Sequence, residues 1–401
     1  MSTTSPSCRS STQHLADIVV TAAESSQKIN NQIFNIAQLR VSNMQLHGRD
    51  DDIKLLRSKL RELAEKKDVG DEEYAAKSRA GEMVLVSGTS GTGKSALIHK
   101  GLGNPAAKSG YIFASGKFED KFHRPLSAFS DAMTRLAKFI TVDHNKMGKL
   151  SSGGQSIATL IRNKIQNEFE VEDAKQLRRV LPGCAELLGL GSRRRSKFSS
   201  FLCPSSHAAK EALFRSAPQL GSAKRRLQVS LALAGKESIA KMHYAVRRLL
   251  KIICSHLKGV VLFIDDLQWS DTATLDLLKS IVLDGEIPSL LIVGAYREDE
   301  VPDHHPLAFH IRELEQMNMS ITKIRIGNLS VGYAIPLVAE ALGMDDDDSK
   351  VKSLAETIHR KTEGNPFFML MFLRSLYDEK LLQYNFGAMK WTWTTMQSAQ
   401  R

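Results

Sequence analysis

Hydrophobic and polar positions along this chain follow two alternating rhythms. Short runs, apolar except for the mixed Ile321–Ile326, recur at Met83–Val86, Tyr111–Ser115, Gly259–Ile264, Leu290–Ala295 and Ile321–Ile326, most of them closed by glycine or by charged residues. Runs of that length bounded by turn residues predict strands, and the unbroken Val260–Ile264 run predicts one buried on both faces. Between them, apolar residues return at helical spacing: Ile53, Leu56, Leu60 and Leu63; then Phe129, Met133, Leu136 and Ile140; then Val246, Leu249, Leu250, Ile253 and Leu257. Helices are thus predicted over Leu126–Ile140, Ser156–Phe169, Glu172–Leu181, Lys241–Leu257, Thr272–Ile281 and Pro306–Met317. Strands alternating with helices predict an α/β fold with a parallel sheet covered by helices.

From Ser330 the rhythm is helical only, over Val331–Leu342, Lys350–Thr362 and Pro366–Leu376. The expected organisation is a flexible lead-in over residues 1–43, an α/β core over 44–329, a small helical domain over 330–380 and a further short element over 381–401. The acidic run Asp345–Asp348 reads as a solvated loop and helix start.

Charge changes this picture in one place. The net charge of the 401-residue chain is +11. Between Leu190 and Ser230, nine Lys/Arg stand against one acid, so this segment alone supplies +8. The basicity is local, and residues of about 190–226 read as an insertion or loop without a clear period. Cys8, Cys184, Cys203 and Cys254 are scattered without metal-ligand spacing. A reducing intracellular setting follows, cytoplasmic first and nuclear second. No apolar run approaches the roughly 20 residues needed to span a bilayer.

The candidate chemistry lies at two strand ends. Gly88-Thr89-Ser90-Gly91-Thr92-Gly93-Lys94-Ser95, followed by Ala96 and a helical stretch to Lys100, fits G-x-x-x-x-G-K-[ST] at every fixed position. Glycines there let backbone N–H groups converge on phosphates, and Lys94 can reach the β- and γ-phosphates. The Ser95 hydroxyl suits a magnesium ion. The second end is Asp265-Asp266, where two carboxylates arrive at the edge at which open α/β sheets bind ligands. Asp265 is the expected magnesium-holding aspartate opposite Ser95, and Asp266 the group that orients or deprotonates an attacking water.

Leu262-Phe263-Ile264-Asp265-Asp266-Leu267-Gln268-Trp269-Ser270-Asp271 resembles the Walker B region of STAND-class P-loop ATPases. More narrowly, it is similar to predicted ATPases with an AAA-type, origin-recognition-complex-like domain. Three further stretches agree in order: Leu46-His47-Gly48-Arg49-Asp50, Val293-Gly294-Ala295-Tyr296-Arg297 and Thr362-Glu363-Gly364-Asn365-Pro366-Phe367-Phe368. The resemblance implies a P-loop NTPase sheet followed by a helical lid. It also implies that Arg297 senses the γ-phosphate, Pro366 lies near the adenine and Arg49 helps enclose the nucleotide. Residues 381–401 would then begin a truncated winged-helix-like element, as in a fragment, a truncated gene model or a stripped version of the module.

The expected function is an ATP- and Mg2+-binding regulatory switch of a signalling ATPase that hydrolyses ATP slowly, with protein effectors as partners. Two alternatives stand beside it. One is an origin-recognition-like ATPase that contacts nucleic acid through the basic segment, which lacks interleaved aromatics apart from Phe198, Phe201 and Phe214. The other is a nucleotide-binding scaffold without turnover.

Overall fold

The computed structural model describes residues 39–40, 44–68, 82–120, 124–143, 156–189, 221–285 and 287–393, and for 65–68, 143 and 221–236 the backbone only. The lead-in, apart from residues 39–40, lies outside the described residues. So do the connector over 69–81 and the basic segment up to residue 220. The described chain divides into two compact units.

The larger unit comprises residues 51–90 and 94–326. Its strands β1 (Glu82–Gly88), β2 (Ile112–Lys117), β3 (Val260–Asp265), β4 (Leu290–Arg297) and β5 (Ile321–Arg325) form one five-stranded sheet in the order β2-β3-β4-β1-β5. Every neighbouring pair is parallel. β3 is buried along its whole length, as its unbroken apolar run requires. Alternation divides the strands between two cores. Met83, Leu85, Ile112, Ala114, Leu262, Ile264 and Ile292 join one large cluster, while Val84, Val86, Val261, Phe263 and Val293 are buried on the opposite face.

Among the described residues, nine helices belong to this part of the chain: α1 (Asp50–Asp68), α2 (Lys94–Ile98), α3 (Asn104–Lys108), α4 (Ser127–Lys138), α5 (Ile157–Glu168), α6 (Val171–Val180), α7 (Gly221–His256), α8 (Thr272–Asp284) and α9 (Pro306–Gln316). α4 buries Phe129, Met133 and Leu136, the stripe its spacing predicts. It closes on β2 because Gly116 has no side chain: a Cβ there would run into the Ala128 carbonyl. The architecture is that of an α/β P-loop NTPase.

Two expectations are corrected. The helix after the phosphate loop does not continue evenly to Lys100: α2 stops at Ile98 and a wider π-type turn, His99–Gly103, leads into α3. The basic segment does not remain irregular to residue 226, because α7 begins at Gly221 and runs for 36 residues. Lys224, Arg225 and Arg226 are good intrinsic helix formers, so the lack of an apolar period there does not prevent a helix.

The smaller unit takes the described residues up to Asp50, Gly91–Gly93, and Gly327 onward. Its helices α10 (Val331–Leu342), α11 (Ser349–Thr362) and α12 (Pro366–Asp378) bury Leu337, Val338, Val351, Leu354, Ile358, Met369 and Leu373 together with Met44. Asp348 caps α11 by accepting the Lys350 N–H at 2.8 Å, so the acidic run does start a helix. The strands β6 (Leu382–Asn385) and β7 (Lys390–Trp393) pair antiparallel, and Trp391 Nε1 donates to the Leu342 carbonyl at 2.7 Å. Among the described residues no helix is long and apolar enough to cross a membrane.

Candidate nucleotide site

The sheet order sets the geometry. β4 lies between β1 and β3, so three strand ends face one edge. In register, Gly88 stands opposite Arg297, Ile264 opposite Gly294, and Lys117 opposite Asp265. Gly88, Asp265 with Asp266, Arg297 and Lys117 therefore meet at the carboxyl ends of four adjacent strands.

The phosphate loop has a backbone that only glycine supplies without strain. Gly91 and Gly93 hold φ of +82° and +94°, and a Cβ at Gly93 would meet nothing within 4 Å. Lys94 is buried, and its ammonium donates to the carbonyls of Gly88 and Thr89 at 2.8 Å each. Burial pushes its pKa down, the Arg297 charge adds to this, and Asp266, Asp299 and Asp265 oppose it. Ser95 Oγ donates to Asp265 Oδ2 at 2.8 Å, and the other oxygen, Oδ1, accepts the Asp266 N–H at 3.1 Å. Thr89, Ser90, Thr92 and Ala96 complete the loop by chain continuity, and Thr92 is buried.

Asp266 takes a left-handed backbone, φ 55° and ψ 48°, which turns the chain sharply off β3. Both its oxygens are engaged. Oδ1 accepts from Gln268 Nε2 at 3.0 Å and lies 3.7 Å from Arg297 Nε, while Oδ2 is 3.0 Å from Lys117 Nζ. Arg297 is held from three sides: its N–H donates to Gln268 Oε1 at 3.1 Å, its Nη1 pairs with Glu300 at 2.6 Å, and its guanidinium lies 4.9 Å from the Trp269 ring centroid. The Gln-Trp of the Walker B-like stretch thus orients Arg297, and Asp271 caps α8.

The residues fit a magnesium nucleotide. Ser95 and Asp265 offer adjacent hard oxygen donors, the set magnesium prefers, and Lys94 supplies a buried cation beside them. The donor set would suit neither a soft metal nor a thiolate-bound one.

Arg49 and Pro366 lie in the smaller unit. Arg49 Nη2 donates to the Gly327 carbonyl and, at 3.3 Å, to the Thr92 carbonyl. Pro366 opens α12, capped by Asn365, whose Oδ1 accepts the Phe367 and Phe368 N–H groups at 3.2 and 3.3 Å. His47 Nε2 and the Gln45 N–H both bind Glu340 of α10, which joins the Gly48-Arg49 stretch to the helical unit. Sequence reasoning missed Lys117 and Glu300. Lys117 carries only a local signal, a lysine that closes β2 directly after Gly116.

Fold and loop together define the P-loop NTPase class. The sequence profile of the AAA ATPase domain matches residues 72–293, more than half of the chain. The chain belongs to the AAA ATPase domain family. A stretch of 109 residues is 33% identical to hybrid signal transduction histidine kinase G of Dictyostelium discoideum, covering 27% of this chain and 3% of that protein. The chain thus spans a small fraction of that relative's length. Among solved structures, the ORC2 protein of Aeropyrum pernix, in ADPNP–ADP complexes, shows 10% identity over 82% of this chain and 62% of that one, with a TM-score of 0.37. The Walker-type ATPase PABY2304 of Pyrococcus abyssi shows 11% identity over 86% and 77%, with a TM-score of 0.34.

Proposed function

We propose that this chain binds ATP with magnesium and hydrolyses it slowly, acting as the regulatory switch of a signalling ATPase of the STAND class. The observation that carries the reading is the 2.8 Å contact of Ser95 Oγ with Asp265 Oδ2 beside the buried Lys94 ammonium. These are the two oxygen donors and the cation that a magnesium-bound triphosphate requires. The signalling half of the reading is supported by the name of the Dictyostelium relative and by the motif likeness.

Each residue then has a stated task. Lys94 would exchange the Gly88 and Thr89 carbonyls for phosphate oxygens, and Ser95 and Asp265 would hold the magnesium ion. That ion, when bound, neutralises charge developing on the phosphates. Arg297 adds positive charge at the transferred group, and Asp266 orients the water and accepts its proton. Roles for Arg49 and Pro366 at the nucleotide rest on the family likeness alone. The helical unit is proposed as the lid, with the β6–β7 hairpin as the start of a winged-helix-like element and protein effectors as partners.

A second reading has its own observation. Both oxygens of Asp266 are already occupied by Lys117, Gln268 and Arg297, an arrangement that favours a scaffold that binds nucleotide without turning it over. Purified chain, Lys94→Ala and Asp266→Asn, assayed for magnesium–ATP binding and phosphate release, separate the readings. Binding with turnover, both lost in Lys94→Ala and turnover alone lost in Asp266→Asn, supports the switch. Binding without turnover supports the scaffold, and a folded chain that binds no ATP refutes both.

A further inference from the structure

The Asp265–Asp266 pair raises a question of charge that the nucleotide reading leaves open. Two adjacent carboxylates are 10% and 7% exposed, and buried like charges need a counter-ion. Among the described residues, three cations are near. Lys94 is committed to two loop carbonyls, and Arg297 is paired at 2.6 Å with Glu300 and stands 3.7 Å from Asp266. Lys117 is the remaining one. Its ammonium lies 3.0 Å from Asp266 Oδ2 and 3.9 Å from Asp265 Oδ2. The second of these oxygens is the one that accepts the Ser95 hydroxyl, so it belongs to the candidate magnesium donor set.

We propose that Lys117 is a built-in, displaceable counter-ion for the Asp265–Asp266 pair, and that a divalent cation must expel its ammonium to bind. Lys117 thereby sets the cation concentration at which the site loads. The proposal rests on the nucleotide-site reading for its biological meaning, and on geometry for the competition itself.

The design of the strand ends supports displacement over permanent bonding. The parallel register places Lys117 directly opposite Asp265, so the lysine is delivered to the carboxylates by sheet pairing. Its side chain is 60% exposed, and a swung-out ammonium is rehydrated at little cost. The carboxylates keep their orientation without it, because Asp265 Oδ1 accepts the Asp266 N–H at 3.1 Å and Asp266 Oδ1 accepts from Gln268 at 3.0 Å. A divalent ion at Ser95 and Asp265 would place like charges within a few ångströms, and the exposed side chain is the one able to leave.

The test is a manganese titration followed by electron paramagnetic resonance, on the full chain with and without ATP. Manganese serves as the probe for the magnesium position. Lys117→Met and Lys117→Gln each remove the charge and should tighten manganese binding about tenfold, the scale of one unit charge near a protein surface. Lys117→Arg should bind as the wild type does, and Asp265→Asn should bind weakly whatever stands at 117. Should Lys117→Met fail to fold, Lys117→Gln, which retains a hydrogen-bond donor, carries the test. Unchanged or weakened binding in the neutral variants overturns the proposal, as does an absence of specific manganese binding in every variant. Tightening without any ATP binding would uphold the counter-ion and refute the nucleotide reading, so the two failures are distinguishable.

Discussion

Gly88, the first glycine of the phosphate loop, and Arg297, the last residue of β4, are directly paired across the parallel ladder of β1 and β4. A guanidinium is thereby placed one strand away from the phosphate loop by backbone pairing, while Trp269 and Glu300 fix its direction. Arg297→Ala should lower single-turnover hydrolysis by about 10²–10³ while changing ATP affinity only a few-fold, the pattern of a group acting on transition-state charge. Arg297→Lys retains charge but loses the planar stack and the fork, so it should recover only part of the rate. Equal losses in affinity and rate would assign Arg297 to ground-state binding.

Ser95→Ala tests the metal side separately. The substitution removes the hydroxyl that contacts Asp265 at 2.8 Å and leaves the loop glycines and Lys94 in place. Nucleotide binding in EDTA should be nearly unchanged, whereas the gain in affinity on adding magnesium should shrink by at least the ~10–100-fold typical of disturbed metal shells. Fluorescence polarisation of a labelled ATP analogue across a magnesium series measures both. A full magnesium response in Ser95→Ala would remove that residue from the metal set.

What was legible in the chain follows the range of the interactions involved. β3 could be read because five consecutive apolar residues describe a strand buried on both faces, a local pattern with one good solution. The phosphate loop could be read because its glycines and lysine sit at fixed local spacing. Lys117 could not be read as a site residue, because its significance comes from pairing with Asp265 across 147 intervening positions. The insertion of β4 between β1 and β3 leaves no local trace either. The opening turns of α7 were missed for a different reason: intrinsic helix propensity persists where apolar periodicity does not. Asp271 was visible as part of a motif, but its task was not.

That task is structural. Asp271 Oδ1 accepts the Thr274 N–H at 2.9 Å, while Oδ2 accepts the Thr274 hydroxyl at 2.7 Å and the Leu126 N–H at 3.1 Å. One carboxylate therefore caps α8 and anchors the left-handed residue before α4. Asp271→Ala should cost about 1 kcal/mol for the cap and a similar amount for the Leu126 contact, about 2 kcal/mol in all. In a domain of this size the midpoint should fall by about 4–8 °C. Asp271→Asn, which can still cap, should lose roughly half of that. A thermal scan with unaltered ATP affinity would confirm a positioning role away from the phosphates, and a selective loss of affinity would contradict it.

The last expectation concerns mild acid. His243, on α7, has a buried Nε2 that finds no hydrogen-bond partner among the described residues. Burial lowers its pKa from 6.5, Arg247 acts in the same direction, and Asp276 opposes both. Above pH 6.5 the imidazole is neutral in the folded and the unfolded chain and contributes no slope. As pH falls below 6.5 the unfolded chain takes up the proton first, because the folded site would have to bury a charged N–H without an acceptor. Stability present above that pH is therefore lost progressively until the folded imidazole titrates too, at no more than about 1.4 kcal/mol per pH unit. His243→Leu keeps the bulk and removes the titration. Urea midpoints measured from pH 7.5 down to 5 should fall more steeply for the wild type than for His243→Leu, with the curves parallel above pH 6.5. Parallel curves over the whole range would mean that the folded chain accommodates the protonated ring and that the burial argument fails for this residue.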